Sequence, residues 1–294
     1  MRPGPPRAAA AALHRLRQEA AARYRAPLLD LELTSAGVRG TVGLPAQAER
    51  VRTALAAAWP GATVDLLVLS SRRPRRGCYP QAPALDIWRE PPGPGRPPPE
   101  RATQLLPGDP PADLLAVRGQ ACLVRAPGDA LGWVARGEAW RLGPRRTPET
   151  LGLRVVRPGT ALLGPVDWAR ARERALAAVG LPYRWGGTGA GGVDCSGLVW
   201  RAFLTAGICL SRHSRAQRAC GQRVRADAVR AGDLVAAVYR GPRRTSHVGL
   251  ALDPATILHA CSALGQVRVE PRADFEERYQ VLAWRRIGDP AGPG

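Results

Sequence analysis

The spacing of apolar and polar positions divides the chain into three stretches. Residues 7–25 repeat with a helical period, from Arg7 to Arg25. Leu28 to Leu33 and Val38 to Leu44 read as strands around a Ser35-Ala36-Gly37 turn. Ala46 to Trp59 reads as a second helix stopped by Pro60-Gly61, and Val64 to Leu69 as a third strand. The pattern predicts an α-β-β-α-β unit over residues 1–72. A basic, Pro-containing break, Arg72 to Gly77, follows. Residues 83–142 then carry short strands between Pro/Gly turns, which suggests a small β-barrel. After a connector at 143–165, the third unit covers 166–288. Asp167 can cap a helix that runs to Val179 and stops at Gly180. A glycine-rich turn from Trp185 leads to a second helix, Cys195 to Ala206, ended by Gly207. Its apolar stripe is Leu198, Val199, Ala202 and Phe203. Strands follow at Asp233–Tyr239, His247–Leu252, Ile257–Cys261, Gln266–Val269 and Val281–Arg286. Helices first and an antiparallel sheet afterwards give an α+β layout.

The length, 294 residues, suits two or three such units, and 45% hydrophobic content provides a core, which excludes wholesale disorder and collagen. Every basic residue is Arg and the net charge is +19. A nucleic-acid groove would produce such a charge, and so would a compositional bias. Aromatic residues are only 5%, no RNA-binding motif occurs and the Arg residues are spread along the chain, so nucleic acid is the less favoured partner. The positive field would still attract small acidic substrates. No apolar run approaches the ~20 residues of a membrane span. Near the N-terminus the apolar stretch Ala8–Leu13 is interrupted by His14, Arg15 and Arg17, which is short of a secretory h-region of ~7–15 residues. A cytoplasmic location is therefore expected. Six cysteines without a CxxC pair are expected to be free, buried thiols. Oligomeric state is not encoded in any pattern found.

One of those thiols has a distinctive context. Cys195 follows Asp194 and opens a helix, where unpaired backbone N–H groups and the dipole favour thiolate over thiol. The preceding glycines allow close backbone approach and leave room for a substrate. A nucleophile needs a base. The strands His247–Leu252 and Ile257–Cys261 flank Asp253-Pro-Ala-Thr, a turn composition. A hairpin centred near Asp253 sets His247 opposite His259 on one face. His247 can then act as base with His259 orienting its ring. A zinc site of Cys195, His247, His259 and Cys261 has the same parity, but it lacks the short ligand spacings of structural zinc sites and is ranked below the nucleophile.

Several motifs resemble known families. Gly-Val-Arg-Gly-Thr-Val, beginning at Gly37, faintly resembles a BON-type module. Leu85-Asp-Ile-Trp-Arg-Glu-Pro, Thr103-Gln-Leu-Leu-Pro-Gly-Asp and Gly132-Trp-Val resemble a bacterial SH3-like domain, with Pro91–Pro99 as its surface loop. Pro182-Tyr-Arg-Trp-Gly-Gly, Asp194-Cys-Ser-Gly-Leu-Val, Ile208 to Gln217, Gly232-Asp-Leu-Val, His247-Val-Gly-Leu and His259-Ala together resemble the NlpC-type family of papain-like cysteine peptidases. That resemblance implies Cys195 as nucleophile, His247 as general base and His259 as the third, polar member. It implies Tyr183 beside the thiol, and Asp194 and Ser196 lining the substrate groove. It also implies hydrolysis of amide bonds in bacterial cell-wall peptides, commonly between D-γ-glutamate and a diamino acid, with no metal or organic cofactor.

An SH3-like module before such a domain is similar to enzymes that recycle short wall peptides bearing a free N-terminal L-Ala. In the matching stretch, Arg212, Ser214 and Gln217 fit that subgroup and are expected near the substrate. His213 stands where the subgroup carries Asp, and a neutral imidazole is a poorer partner for an ammonium ion. A non-catalytic binder of wall fragments, and an amidase or acyltransferase of the same fold, are the alternatives.

Overall fold

The computed structural model describes residues 6–23, 29–69, 74–93, 97–137, 139–162, 164–241 and 245–290. Tyr24 to Leu28, Arg72, and the middle of the Pro91–Pro99 loop lie outside them, so the far end of the first helix and the start of the first strand are not described. The first unit has the expected element order: α1 (Arg7–Arg23), β1 (Leu29–Leu33), β2 (Gly37–Val42), α2 (Pro45–Ala58) and β3 (Thr63–Val68). β1 runs antiparallel to β2, and β3 parallel to it. Leu13 and Leu16 of α1 and Val51 and Leu55 of α2 bury against this sheet, as helical spacing of those positions requires.

The second unit is larger than the sequence predicts. It begins inside the basic break, at β4 (Arg76–Pro80), and continues through β5 (Leu85–Trp88), β6 (Arg101–Leu105), β7 (Ala112–Arg118), β8 (Ala121–Ala126), β9 (Ala130–Ala135) and β10 (Trp140–Pro144). These form one antiparallel sheet in the order β10-β4-β7-β8-β9-β5-β6. β4 and β10 pair with each other, which draws the break and the connector's first residues into the sheet.

Within the third unit, Asp167 caps α3 (Trp168–Leu176) by accepting a hydrogen bond from the Arg170 backbone N–H. The helix ends three residues before Val179, and turns continue to Gly180, whose φ is +86°. A short ladder, β13 (Thr188–Gly189) with β14 (Gly192–Val193), precedes α4 (Cys195–Thr205). Minor parallel pairs join β11 (Arg154–Val156) to β15 (Ile208–Leu210) and β12 (Pro165–Val166) to β22 (Asp289–Pro290). The main sheet is antiparallel, in the order β16-β21-β17-β18-β19-β20. Its strands are β16 (Gln222–Val224), β17 (Leu234–Tyr239), β18 (Ser246–Asp253), β19 (Thr256–Cys261), β20 (Gln266–Pro271) and β21 (Tyr279–Arg286). Two short helices, α5 (Ser214–Gln217) and α6 (Arg272–Arg278), were not predicted, because neither is long enough to display a helical period.

α4 packs on β18 and β19. Leu198, Val199 and Phe203 share one core with Val248, Leu250, Leu258 and Ala260. That core continues into the second unit through Leu85, Ile87, Leu105 and Val124, so the two units are joined by apolar burial. No helix among the described residues is long and apolar enough to cross a membrane.

Candidate active site

The alternation of strand side chains sorts the two faces of the sheet. Val248, Leu250, Leu258 and Ala260 join the core beneath α4, while Ala251, Ile257, Phe275 and Tyr279 form a separate cluster. His247 and His259 have the parity of the second set and pack among its aromatic rings. Tyr279 stacks on His247 with ring centroids 4.3 Å apart and planes 12° from parallel. Phe275 meets His259 edge-on at 5.1 Å.

His247 Nε2 and His259 Nδ1 are 2.8 Å apart, so the expected pair of imidazoles is formed. The register that forms it differs from the expected one. β18 and β19 pair Leu250 with Leu258 and Ala251 with Ile257, and the ladder shifts before Asp253 pairs with Thr256. The bulge at Leu252 shifts the ladder by one residue, and the pairing beyond it is displaced by two residues from the expected one, which keeps the two histidines on one face. His259 consequently lies across from Gly249, and His247 is its diagonal neighbour. A Cβ added at Gly249 would stand 3.0 Å from the His259 Cβ and 3.0 Å from the Leu258 carbonyl oxygen. The glycine thus vacates the space that lets the two rings meet. Gly249→Ala is expected to move His259 by a few tenths of an ångström and lower kcat/KM roughly several-fold, by misplacement of the base. Steady-state kinetics beside a thermal melt checks this, with the melt changing little.

Beyond His259 the chain of bonds continues. His259 Nε2 is 2.9 Å from Glu270 Oε1, and both side chains are fully buried. Arg268 Nε forms an ion pair with Glu270 at 3.1 Å, and Arg278 donates to the same carboxylate oxygen. Burial opposes ionisation of Glu270, but the bonds from His259 and Arg278 prevail and hold its pKa down at about 2. Burial and the neighbouring His259 keep His247 well below its ordinary value, against the pull of the Asp194 carboxylate. Burial also lowers His259, against Glu270. Glu270 was missed by the sequence reading. It has the His259 parity across the β19–β20 ladder, in which His259 pairs with Arg268, but the predicted strand stopped at Val269.

The other end of the site is the start of α4. Asp194 is the N-cap: its Oδ1 accepts from the Gly197 backbone N–H at 2.6 Å, and its Oδ2 from that of Gly186 at 2.8 Å. Cys195 is the first helical residue and is 6% exposed. This helix start and the histidine cluster act on each other by charge. Asp194 raises the pKa of His247, and Cys195, after burial and Cys261, contributes to raising that of Tyr279.

Asp194 and Ser196, expected to line the groove, and Arg212, expected near the substrate, are buried instead, each at most 1% exposed. Arg212 uses all five guanidinium N–H groups. Nη1 donates to Asp194 Oδ1 (3.0 Å) and Ser196 Oγ (2.9 Å), Nη2 to Asp194 Oδ2 (3.1 Å) and the Gly187 carbonyl (3.3 Å), and Nε to Thr103 Oγ1 (2.8 Å). Ser196 Oγ donates to Asp194 Oδ1 at 3.1 Å. With their polar atoms spent on one another, these three hold the helix start rather than a ligand. Ser214 is buried at the opening of α5, and His213, half-buried, occupies that helix's N-cap. Tyr183 is half-buried and bridges to Val193, just before the N-cap, while its backbone N–H donates to the Gly265 carbonyl at 2.6 Å.

The glycine-rich lead-in is also used differently from expectation. Gly186 has φ +72°, and a Cβ there would lie 2.7 Å from the Arg101 carbonyl oxygen of β6. Thr188 Oγ1 donates to the Gln104 carbonyl at 3.1 Å, and Arg201 forms a buried ion pair with Asp109. The room expected for a substrate admits strand β6 of the second unit. Among the described residues, no group of three or more His, Cys, Asp or Glu side chains could hold a metal ion.

Over this part the chain is similar to bacterial endopeptidases. It is 38% identical over 120 residues to "Probable endopeptidase Rv2190c" of Mycobacterium tuberculosis, covering 41% of this chain and 29% of the relative. It is 34% identical over 112 residues to "Peptidoglycan endopeptidase RipA" of the same species, covering 34% and 23%. The chain thus spans less than a third of either relative's length. A solved NlpC/P60 family protein from Bacillus cereus aligns at 18% identity and a TM-score of 0.37, over 74% of this chain and 65% of that one. The NlpC/P60 family itself matches residues 180–285. This stretch starts at the turn after α3, ends within β21 and contains Cys195, both histidines and Glu270; it is an NlpC/P60 family domain.

Proposed function

We propose that this protein is a cysteine endopeptidase of peptidoglycan peptides that hydrolyses the amide bond between D-γ-glutamate and a diamino acid. Cys195 is the nucleophile, His247 the general base and acid, and His259 the residue that orients His247. The observation that carries the proposal is the buried hydrogen-bonded series His247–His259–Glu270 beside a helix headed by Cys195. The Cys195 sulfur attacks the γ-glutamyl carbonyl after giving its proton to His247. Backbone N–H groups at the start of α4 stabilise the oxyanion. His247 then protonates the departing amine, and water, deprotonated by the same imidazole, resolves the thioester. No residue in this scheme calls for a metal or an organic cofactor.

The substrates are short recycled fragments, met in the cytoplasm. Two observations support this. The second unit, which we assign to the SH3-like class, is docked against the lead-in loop two to nine residues before Cys195, next to the groove rather than at the end of a linker. All six cysteines are free and buried, as a reducing compartment favours. The ammonium of a free L-Ala would lack the carboxylate that the motif position normally supplies, since His213 stands there. Asp86 and Asp109 of the second unit are committed to Arg101 and Arg201.

The test is incubation of the purified protein with L-Ala-γ-D-Glu-diaminopimelate and with its N-acetylated form. Release of L-Ala-γ-D-Glu by wild type, and none by Cys195→Ala, is the expected result. Equal cleavage by the variant, or no cleavage by wild type, overturns the endopeptidase assignment. Faster cleavage of the acetylated form overturns the short-fragment assignment alone.

A further inference from the structure

Neutral imidazole carries one N–H and one lone pair, and which nitrogen has the proton is set by the neighbours. Glu270 is an acceptor only. Its carboxylate is buried and lies between Arg268 and Arg278, two cations that stabilise its charged form. His259 Nε2, 2.9 Å away, must therefore donate. With the proton on Nε2, the Nδ1 of neutral His259 is a lone pair. That lone pair faces His247 Nε2 at 2.8 Å, so His247 Nε2 must donate in turn. The base atom left on His247 is Nδ1.

We propose that Glu270 is a positioning residue that sets the tautomers of both histidines, so that the lone pair of His247 is on Nδ1. This rests on the catalytic roles assigned above and extends the machinery by one carboxylate on β20. Charge does not act on the pair from Glu270 alone. Asp194 acts on it from the start of α4, Arg268 from β20 and Arg278 from α6, and Tyr279 of β21, itself influenced by Cys195 and Cys261, stacks on His247. Among these, Glu270 and Arg278 are the groups joined to the histidine chain by successive hydrogen bonds. Burial lowers His259 toward the neutral form, which the tautomer argument requires.

Long-range proton–nitrogen NMR of the full chain reads which ring nitrogen is protonated, without substrate and independently of turnover. Wild type is expected to show protons on Nε2 of both His247 and His259. In Glu270→Ala the two rings are expected to show mixed tautomers, and kcat to fall roughly ten-fold or more, as when outer carboxylates that orient histidines are removed, with KM little changed. Glu270→Gln, whose amide oxygen can still accept from His259 Nε2, is expected to keep the wild-type tautomers and most of kcat. An Nδ1 proton on His259 in wild type overturns the proposal. So does a fall in kcat in Glu270→Ala with wild-type tautomers retained, which would mark a merely structural role. If Glu270→Ala does not fold, the wild-type spectrum and Glu270→Gln decide. Absence of peptide hydrolysis would overturn the enzyme assignment while leaving the tautomers to be read.

Discussion

Arg212→Ala is expected to destabilise the protein by about 3–5 kcal/mol, the cost of stranding a buried charge. Asp194 would lose two charge-assisted hydrogen bonds while remaining 1% exposed. The damage would extend beyond the pair. Arg212 also ties Ser196, the Gly187 carbonyl and Thr103 of β6, so it joins the lead-in loop, the helix start and the second unit through one guanidinium. A urea midpoint, with a melting temperature lower by roughly 10 °C, is the measurement. Adding Asp194→Asn to an Arg212→Met variant should recover part of the loss, because the uncompensated carboxylate disappears. If Arg212→Ala matched wild type in stability while losing substrate affinity, Arg212 would be a ligand contact and the structural assignment would fail.

His247→Ala is expected to lower kcat/KM by about 10²–10⁴-fold through loss of the proton carrier, with the fold retained. The same residue shapes acid stability. Both histidines are held below their ordinary values in the folded state, His247 by burial and His259's proximity, and His259 by burial against Glu270. A folded-state pKa below the unfolded one contributes stability that is fully present above about pH 6.5 and is lost as pH falls toward the folded value. Melting temperature should therefore fall as pH is lowered from 7 to 5, and His247→Gln should flatten that slope. Glu270 acts in a lower window. Its contribution is complete above about pH 4.5 and is lost as pH falls toward 2.

Much of the site is legible from local rules. Asp194 before Cys195 is an N-cap, and the cap bond to Gly197 forms as a short polar side chain at that position dictates. The register argument brought His247 and His259 to one face because the observed pairing differs from the expected one by an even number of residues; a one-residue slip would have set them on opposite faces. The two-residue displacement was not legible. A bulge at Leu252 leaves no periodic signature, and Gly249 became meaningful only once His259 stood across from it. Glu270 was overlooked for a similar reason. Its role depends on strand β20 reaching past Val269 and on Arg278 returning from α6, a helix of only seven residues.

The sequence by itself determined the order of elements and the thiol at a helix start, since each follows from spacing between near neighbours. Tertiary structure decided what lies underneath and beside them. Arg212, Asp194 and Ser196 carry polar atoms suited equally to a ligand or to one another, and only burial shows that they bind one another. The glycines before Cys195 permit close approach by anything, and only the docking of β6 shows what approaches. Partners far apart in the chain leave no spacing to read, so their choice belongs to the folded state.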